Sequence, residues 1–358
     1  TNSELYLYHK KQDLTINRIK VERIQNINIK IDYGDELEFE IVSTCLNSVH
    51  EIYLNNIIKI NNDSKELIKN NKINNIVIIQ DAIISSIGNF FKMIFESKGY
   101  GVEIKNELSV EDCLNSNLNT MFIILINRST HNLLPIKFIF YQIEQKNSHF
   151  LTEPHLLSKL AYSFKNAVEV WEYSNVPSES YSKFCSNKLK WIPMPFVYLP
   201  RMAKYINKFD ECKYDLFFFG HKNARRENIL NELSKHFKVK IGWRCFENDK
   251  NKYISMSKII LNIHYYEETG LETCRINEIL NYSKLIISEK SPLDIQNTQA
   301  YSNVVIFVDE VNDDLSNIDQ MIETIRHYLN KSKYEKKISK VNNKIKELSD
   351  KINKIIDI

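Results

Sequence analysis

Glycine is scarce in this chain, with seven among 358 residues, where average usage is about 7%. That scarcity excludes most phosphate-cradling loops. No G-x-G-x-x-G and no P-loop pattern occurs. The nearest approach, Gly99-Tyr100-Gly101, follows a helical segment and precedes a strand, where a helix cap and turn are expected. Cysteine is sparse as well. Cys45, Cys113, Cys185, Cys212, Cys245 and Cys274 form no C-x-x-C, which predicts free thiols in a reducing, cytoplasmic compartment and no disulfide frame or zinc site. No apolar run approaches the ~20 residues needed to span a bilayer, and the polar opening TNSELYLYHKKQD predicts no signal peptide. Charge of one sign is also lacking. A net charge of +3 gives no concentrated basic surface, so no nucleic-acid partner is expected. H-E-x-x-H, G-x-S-x-G, a Cys/His cluster and a D-x-D following a strand are all absent. Metal and serine hydrolases and metal-dependent transferases are therefore unsupported, and no metal ligand is assigned.

What is present is an α/β alternation. Hydrophobic residues make up 43% and charged residues 26% of the chain, the balance of a globular protein. Residues 1–72 read as a small β-rich extension. Ile27–Tyr33 and Leu37–Ser43 alternate around a Gly34-Asp35 turn, Ile52–Ile60 is a further candidate strand, and a polar linker follows. Nearly continuous apolar runs such as Ile76–Ile79, Met121–Ile126 and Phe138–Ile143 then predict buried parallel strands. Between the first two, Ile87, Phe90, Phe91, Ile94 and Phe95 fall at helical spacing. Three prolines in WIPMPFVYLP, 191–200, mark an extended connector. A second unit follows, with strands Leu216–Phe219, Lys238–Ile241, Ile259–Ile263, Leu285–Ile287 and Val304–Phe307. The fold class is α/β: two Rossmann-like domains, a small N-terminal extension and a C-terminal helix. The expected boundaries are 1–72, 73–198, 199–330 and 331–358. In the last segment Ile338, Val341, Ile345 and Leu348 form a stripe expected to dock on the body, with the lysines solvated.

The segment from Ser257 to Ser288 carries the sharpest signal. An apolar strand ends in Leu261-Asn262-Ile263, a loop with Gly270 follows, and a helix bears Arg275-Ile276-Asn277-Glu278. Charged groups just past a strand's C-terminal end lie where open α/β sheets bind ligands. Here, and at Phe217-Phe218-Phe219-Gly220 with Arg225-Arg226, the chain resembles the donor-binding half of group-1-like GT-B glycosyltransferases. The resemblance covers about residues 130–325 and is firmest at about 215–290. It implies a metal-independent transferase that binds a nucleotide-sugar in its C-terminal domain and a glycan, lipid or protein acceptor in its N-terminal domain. The nucleotide-sugar would be a co-substrate, with no other cofactor. Peripheral membrane contact and oligomeric state stay open.

The resemblance implies that Glu278 accepts from the ribose hydroxyls. Arg275, one turn earlier on the same face, could pair with Glu278 or reach the diphosphate. Thr273 begins that helix and could donate to phosphate. The family's first glutamate, eight positions before the second, is absent: Gly270 stands there, between Glu268 and Glu272. Gly220 permits close backbone approach. Arg225 could stabilise the leaving diphosphate and Arg226 could help bind it, with His221 and Lys222 as alternates. Trp243, followed by Arg244, could stack on a base. In the first half, Glu144 ends the apolar strand of Tyr141-Gln142-Ile143-Glu144-Gln145 and is the candidate base. His149 is the second candidate, and His155 and Asp81 compete. Tyr173 and Ser174 could line the acceptor side. Two rival readings remain: a degenerate GT-B domain serving as a binding or scaffold module, and a nucleotide-sugar epimerase. A DNA-modifying glucosyltransferase would want a basic groove, and the near-zero charge speaks against it.

Overall fold

The computed structural model describes residues 73–81, 84–108, 119–125, 137–174, 179–185, 187–200, 208–245 and 247–358, together with three strands before them. Those strands belong to a separate unit, residues 1–72. They are β1 (Glu4–Lys10), β2 (Ile16–Val21) and β3 (Glu36–Val42), antiparallel in the order β2-β1-β3. Leu7 pairs with both Ile19 and Phe39. The expected strand Leu37–Ser43 is β3, and its described partner is β1. The expected strands Ile27–Tyr33 and Ile52–Ile60 lie outside the described residues, as does the polar stretch 61–72.

Residues 73–358 form the second unit, which holds two parallel sheets. The first half runs β4 (Asn75–Ile79), α1 (Ser85–Ser97), β5 (Gly101–Lys105), β6 (Thr120–Ile124), β7 (Phe138–Gln142), α2 (His149–Thr152), α3 (Pro154–Asn166), β8 (Glu169–Glu172), α4 (Glu179–Cys185) and β9 (Leu189–Trp191). Its sheet order is β5-β4-β6-β7-β8-β9. β6 and β7 are buried along their whole length, as strands covered on both faces must be. The helical spacing read in 85–97 turns Ile87, Phe90, Phe91, Ile94 and Phe95 inward. There the ring of Phe91 meets Tyr141 edge-on at 5.3 Å between centroids and lies 6.0 Å from Trp171. Full burial of each such ring stabilises by about 1.5–3 kcal/mol.

The second half runs β10 (Tyr214–Gly220), α5 (Ala224–Ser234), β11 (Val239–Trp243), α6 (Glu247–Ser255), β12 (Ser257–Asn262), α7 (Thr273–Leu280), β13 (Leu285–Glu289), α8 (Ile295–Tyr301), β14 (Ile306–Val308), α9 (Ile318–Tyr328) and α10 (Lys331–Ile355). Its order is β11-β10-β12-β13-β14. In both halves the first strand lies between the second and third. The strand order therefore reverses beside it, and a crevice opens at the carboxyl ends of β4/β6 and β10/β12.

The connector and the last helix are two of the devices that join the halves. The proline-rich connector cannot use a sheet to satisfy its backbone, and buried backbone groups must be satisfied. Side chains do this instead. Asn277 Nδ2 donates to the carbonyls of Met194 and Pro195, both at 3.2 Å. Asn281 accepts from Leu199 N at 2.7 Å and donates to Val197 O at 3.0 Å. Ser349 Oγ accepts from Tyr198 N and donates to Phe196 O. The second device is α10, which buries Val341, Ile345, Leu348 and Ile352. Just past its end, Lys98 of the first half donates to Ile356 O and pairs with Asp357 at 3.2 Å. Among the described residues no helix is long and apolar enough to cross a membrane.

Candidate functional site

A cleft of about 270 Å³ lies where the two crevices face each other. Its first-half wall is largely apolar: Ile84, Ile87, Ile143, Tyr173 and Met194, with the amide of Gln145. Its second-half wall carries the charges, on Arg244, Lys250, Glu272, Arg275 and Glu278, beside Gly220, His221, Phe219, Cys245 and Cys274.

Gly220 ends β10 at φ 155°, in the region only glycine enters easily. A Cβ there would stand 3.0 Å from Arg275 Nη2 and 3.2 Å from Arg226 Nη1, so its bare backbone lets two guanidinium groups approach the strand end. Glu272 sits between those groups. It accepts from Arg226 Nη2 at 2.8 Å and pairs with Arg275. Burial pushes the Glu272 carboxyl up, but Arg275, Arg226 and His264 outweigh that and hold it below the usual carboxylate range. Arg275 also donates to Asn262 Oδ1 at 2.8 Å and keeps 13% of its side chain exposed at the cleft. One turn along α7, Glu278 pairs with Lys250 at 2.9 Å, and both line the cleft. Helical spacing of three residues brings Arg275 and Glu278 to one wall, but Glu278 takes Lys250 as its partner and Arg275 takes Glu272.

Arg225 and Arg226 are placed differently from their expected roles. Neither lines the cleft. Arg225 is buried and bonds Glu289 through Nη1 (3.1 Å) and Nη2 (2.6 Å), and its Nη1 also donates to His264 O. A guanidinium so placed ties strand ends together and has no open face for a leaving group. Arg226, 1% exposed, donates to Ile263 O, His221 O and Glu272 and lies over the rings of Phe218 and Tyr265. Burial lowers it to about 10, so it stays charged at neutral pH and shapes the loops on either side. Trp243 packs edge-on to Phe218 at 5.6 Å and does not line the cleft, whereas Arg244, its neighbour, does. Thr273 is buried, and its Oγ1 has no hydrogen-bond partner.

In the first half, Glu144 also stays out of the cleft lining. Its carboxylate accepts from Ser148 Oγ at 2.9 Å, and its backbone exchanges two bonds with the Gln142 side chain. The turn it builds presents the next residue, Gln145, to the cleft. His149 opens α2, and its side chain lies outside the described ones. The structure thus brings Gly220, Arg275 and Glu278 together at the cleft, and places Arg225, Arg226, Trp243, Thr273 and Glu144 around or behind it. Sequence reasoning missed Gln145 and Lys250 as lining groups. A one-residue change of parity in a loop carries no periodic signal, and Lys250 sits on a helix rich in polar residues throughout. Among the described residues no group of three or more His, Cys, Asp or Glu side chains could hold a metal ion.

No protein-family profile matches the chain. An uncharacterized protein of Acanthamoeba polyphaga mimivirus is 30% identical over 124 residues, 32% of this chain and 44% of that protein. The chain thus spans under half the length of that curated relative. Among solved structures, Anabaena HepE in complex with UDP and glucose superposes with a TM-score of 0.50 at 9% identity, covering 79% of this chain and 97% of HepE. WaaG, a glycosyltransferase involved in lipopolysaccharide biosynthesis, gives 0.47 at 10% identity over 79% of this chain and 99% of WaaG. The fold is GT-B.

Proposed function

We propose that the chain is a glycosyltransferase that holds a nucleotide-sugar in this cleft, with the nucleotide on the second half and the acceptor on the first. One observation carries the reading. The bare backbone of Gly220, the guanidinium of Arg275 that reaches the cleft wall and the Glu278–Lys250 pair converge at the reversal point of the second sheet. A diphosphate needs cations and close backbone approach, and ribose hydroxyls need a carboxylate acceptor. Glu278 is such an acceptor, and its pair with Lys250 holds it in place. The fold's likeness to HepE, which was crystallised with UDP and glucose, supports the same assignment.

In the transfer, the bond from the sugar's anomeric carbon to the diphosphate oxygen breaks, with its electron pair going to that oxygen. The acceptor hydroxyl forms the new bond and gives up its proton. Charge grows on the diphosphate, and Arg275, Arg244 and Lys250 are the cations at the cleft that can stabilise it. We assign no metal and no cofactor beyond the donor. Among the described residues the first half places no carboxylate on the cleft wall. The groups at hand for the acceptor's proton are therefore His221 and the departing phosphate.

The test is a thermal-shift screen with UDP, GDP, UDP-glucose and GDP-mannose, on wild type and Glu278→Ala. A ligand that binds only the folded state stabilises it by about 2.7 kcal/mol at a hundred times its dissociation constant. The expected result is a shift with one nucleotide series that is lost in Glu278→Ala. A folded wild type that shifts with none of the four ligands overturns the reading in favour of a scaffold.

A further inference from the structure

Gln145 links the two halves while part of its side chain stays uncommitted. It lies in the loop after β7 and lines the cleft. Its Oε1 accepts from Gly270 N at 3.1 Å and from Thr269 Oγ1, both in the loop between β12 and α7. A backbone N–H can only donate, so the carboxamide must turn its oxygen toward the loop. Its Nε2 is bonded by no described residue and is not enclosed. Two N–H donors are thereby left available at the cleft.

The loop that orients Gln145 is itself held firmly. Thr269 is fully buried, and its carbonyl accepts from Ser291 Oγ. Leu271 N donates to Asp294 Oδ2 at 3.1 Å, and the same oxygen accepts from Ser174 Oγ of the first half at 3.1 Å. A Cβ on Gly270 would lie 2.7 Å from Ser174 Oγ and 3.3 Å from Gln145 Oε1. Only glycine lets the loop lie this close, and the contact fixes the carboxamide plane. A pre-oriented donor pair loses little entropy when it meets a ligand.

We propose that Gln145 is a specificity residue for the sugar carried by the donor: its oxygen ties the halves together and its amide N–H groups donate to a sugar hydroxyl. This rests on the transferase reading above. In that reading the diphosphate lies against Gly220 and Arg275 on the second half, and the sugar lies between the halves. A carboxamide held by the first half then reaches the sugar and not the nucleotide.

Gln145→Glu isolates the proposal. A carboxylate at 145 still accepts from Gly270 N and Thr269 Oγ1 but has no N–H to offer. The affinities of UDP-glucose and UDP, and of GDP-mannose and GDP, are measured by calorimetry for wild type, Gln145→Glu and Gln145→Ala, with melting temperatures alongside. A new negative charge weakens both members of each pair, and the more highly charged nucleoside diphosphate more, so charge by itself raises the ratio of the first to the second. A fall in that ratio is the readout, and the uncharged Gln145→Ala gives the ratio free of the charge effect. The expected result is that Gln145→Glu lowers the nucleotide-sugar to nucleoside-diphosphate affinity ratio about tenfold, as loss of one hydrogen bond does. Gln145→Ala lowers it similarly and melts earlier. An unchanged ratio, whether or not both affinities fall, overturns the proposal and leaves Gln145 as a tie between halves. A wild type that binds none of the four ligands overturns the transferase reading and this one with it, and is told apart by that control.

Discussion

Replacing Glu289 by alanine tests whether the buried charge behind the cleft holds the second half together. The Glu289 carboxylate is fully buried. It accepts from Arg225 Nη1 (3.1 Å) and Nη2 (2.6 Å), from His264 N (2.7 Å) and from Val311 N (2.9 Å). It thereby joins the end of β13, the residues after β12 and β14, and α5. Removing one member of a buried ion pair costs about 3–5 kcal/mol, because the partner stays charged and buried. Arg225 keeps its bonds to His264 O and Val311 O, which offsets part of that. Two backbone N–H groups lose their acceptor, at about 1–3 kcal/mol each. Water entering the vacated space returns some of this, and a net loss of about 4–6 kcal/mol is expected. The assay is urea unfolding, followed by tryptophan fluorescence and far-ultraviolet circular dichroism to check that both probes report one transition. At an m-value of about 3 kcal/mol/M, the midpoint falls by about 1.3–2 M. The double variant Arg225→Met, Glu289→Met removes both charges together, and its cost should be at least about 2 kcal/mol below the sum of the single variants. A Glu289→Ala loss under about 1 kcal/mol, or simple additivity, would refute the argument.

Gly270→Ala should lower stability by about 1–3 kcal/mol, because its Cβ meets Ser174 Oγ at 2.7 Å and Ser174 Cβ at 3.1 Å. Adding Ser174→Gly should recover most of it in a thermal melt, and no recovery would mean that the contact between halves is not the cause. Glu172 supplies a pH prediction. Burial raises its carboxyl from about 4.5 to about 8, against the Tyr181 hydroxyl bond that favours the ionised form. The folded state then binds a proton that the unfolded chain releases. Stability from this group is complete below about 4.5 and is lost as pH rises toward about 8. Glu172→Gln keeps a neutral acceptor for Tyr181, so its melting temperature relative to wild type should climb between these pH values. Parallel curves would refute the assignment.

The strands of the two parallel sheets were legible because their signals are local. Runs such as Phe138–Tyr141 and Leu285–Ile287 are apolar throughout, within strands buried along their length, and admit few other structures. The amphipathic stripe of α10 was equally plain: Val341, Ile345 and Leu348 are buried and Ile338 is half-buried against the same core. β9 escaped notice, since three residues carry no period. The cleft was read in part. Gly220, Arg275 and Glu278 lie at the end of a strand or on the face of a helix, where position follows from chain geometry. Lys250, Gln145 and the burial of Arg225 and Arg226 follow from no such rule.

By itself, then, the sequence determined which segments are strands and helices, that they alternate as α/β, and which strand ends carry charge, because hydrophobic periodicity acts over a few residues. Tertiary structure alone decided how the charges are shared. Arg225 and Arg226 stand side by side in the chain, yet one is spent on Glu289 and the other on Glu272, because a buried guanidinium must find a carboxylate wherever the fold brings one. Likewise Glu278 meets Lys250 across 28 residues, and Gln145 meets Gly270 across 125. Such partners are set by the packing of elements far apart in the chain, within one half or between the two, a long-range term that no local pattern records.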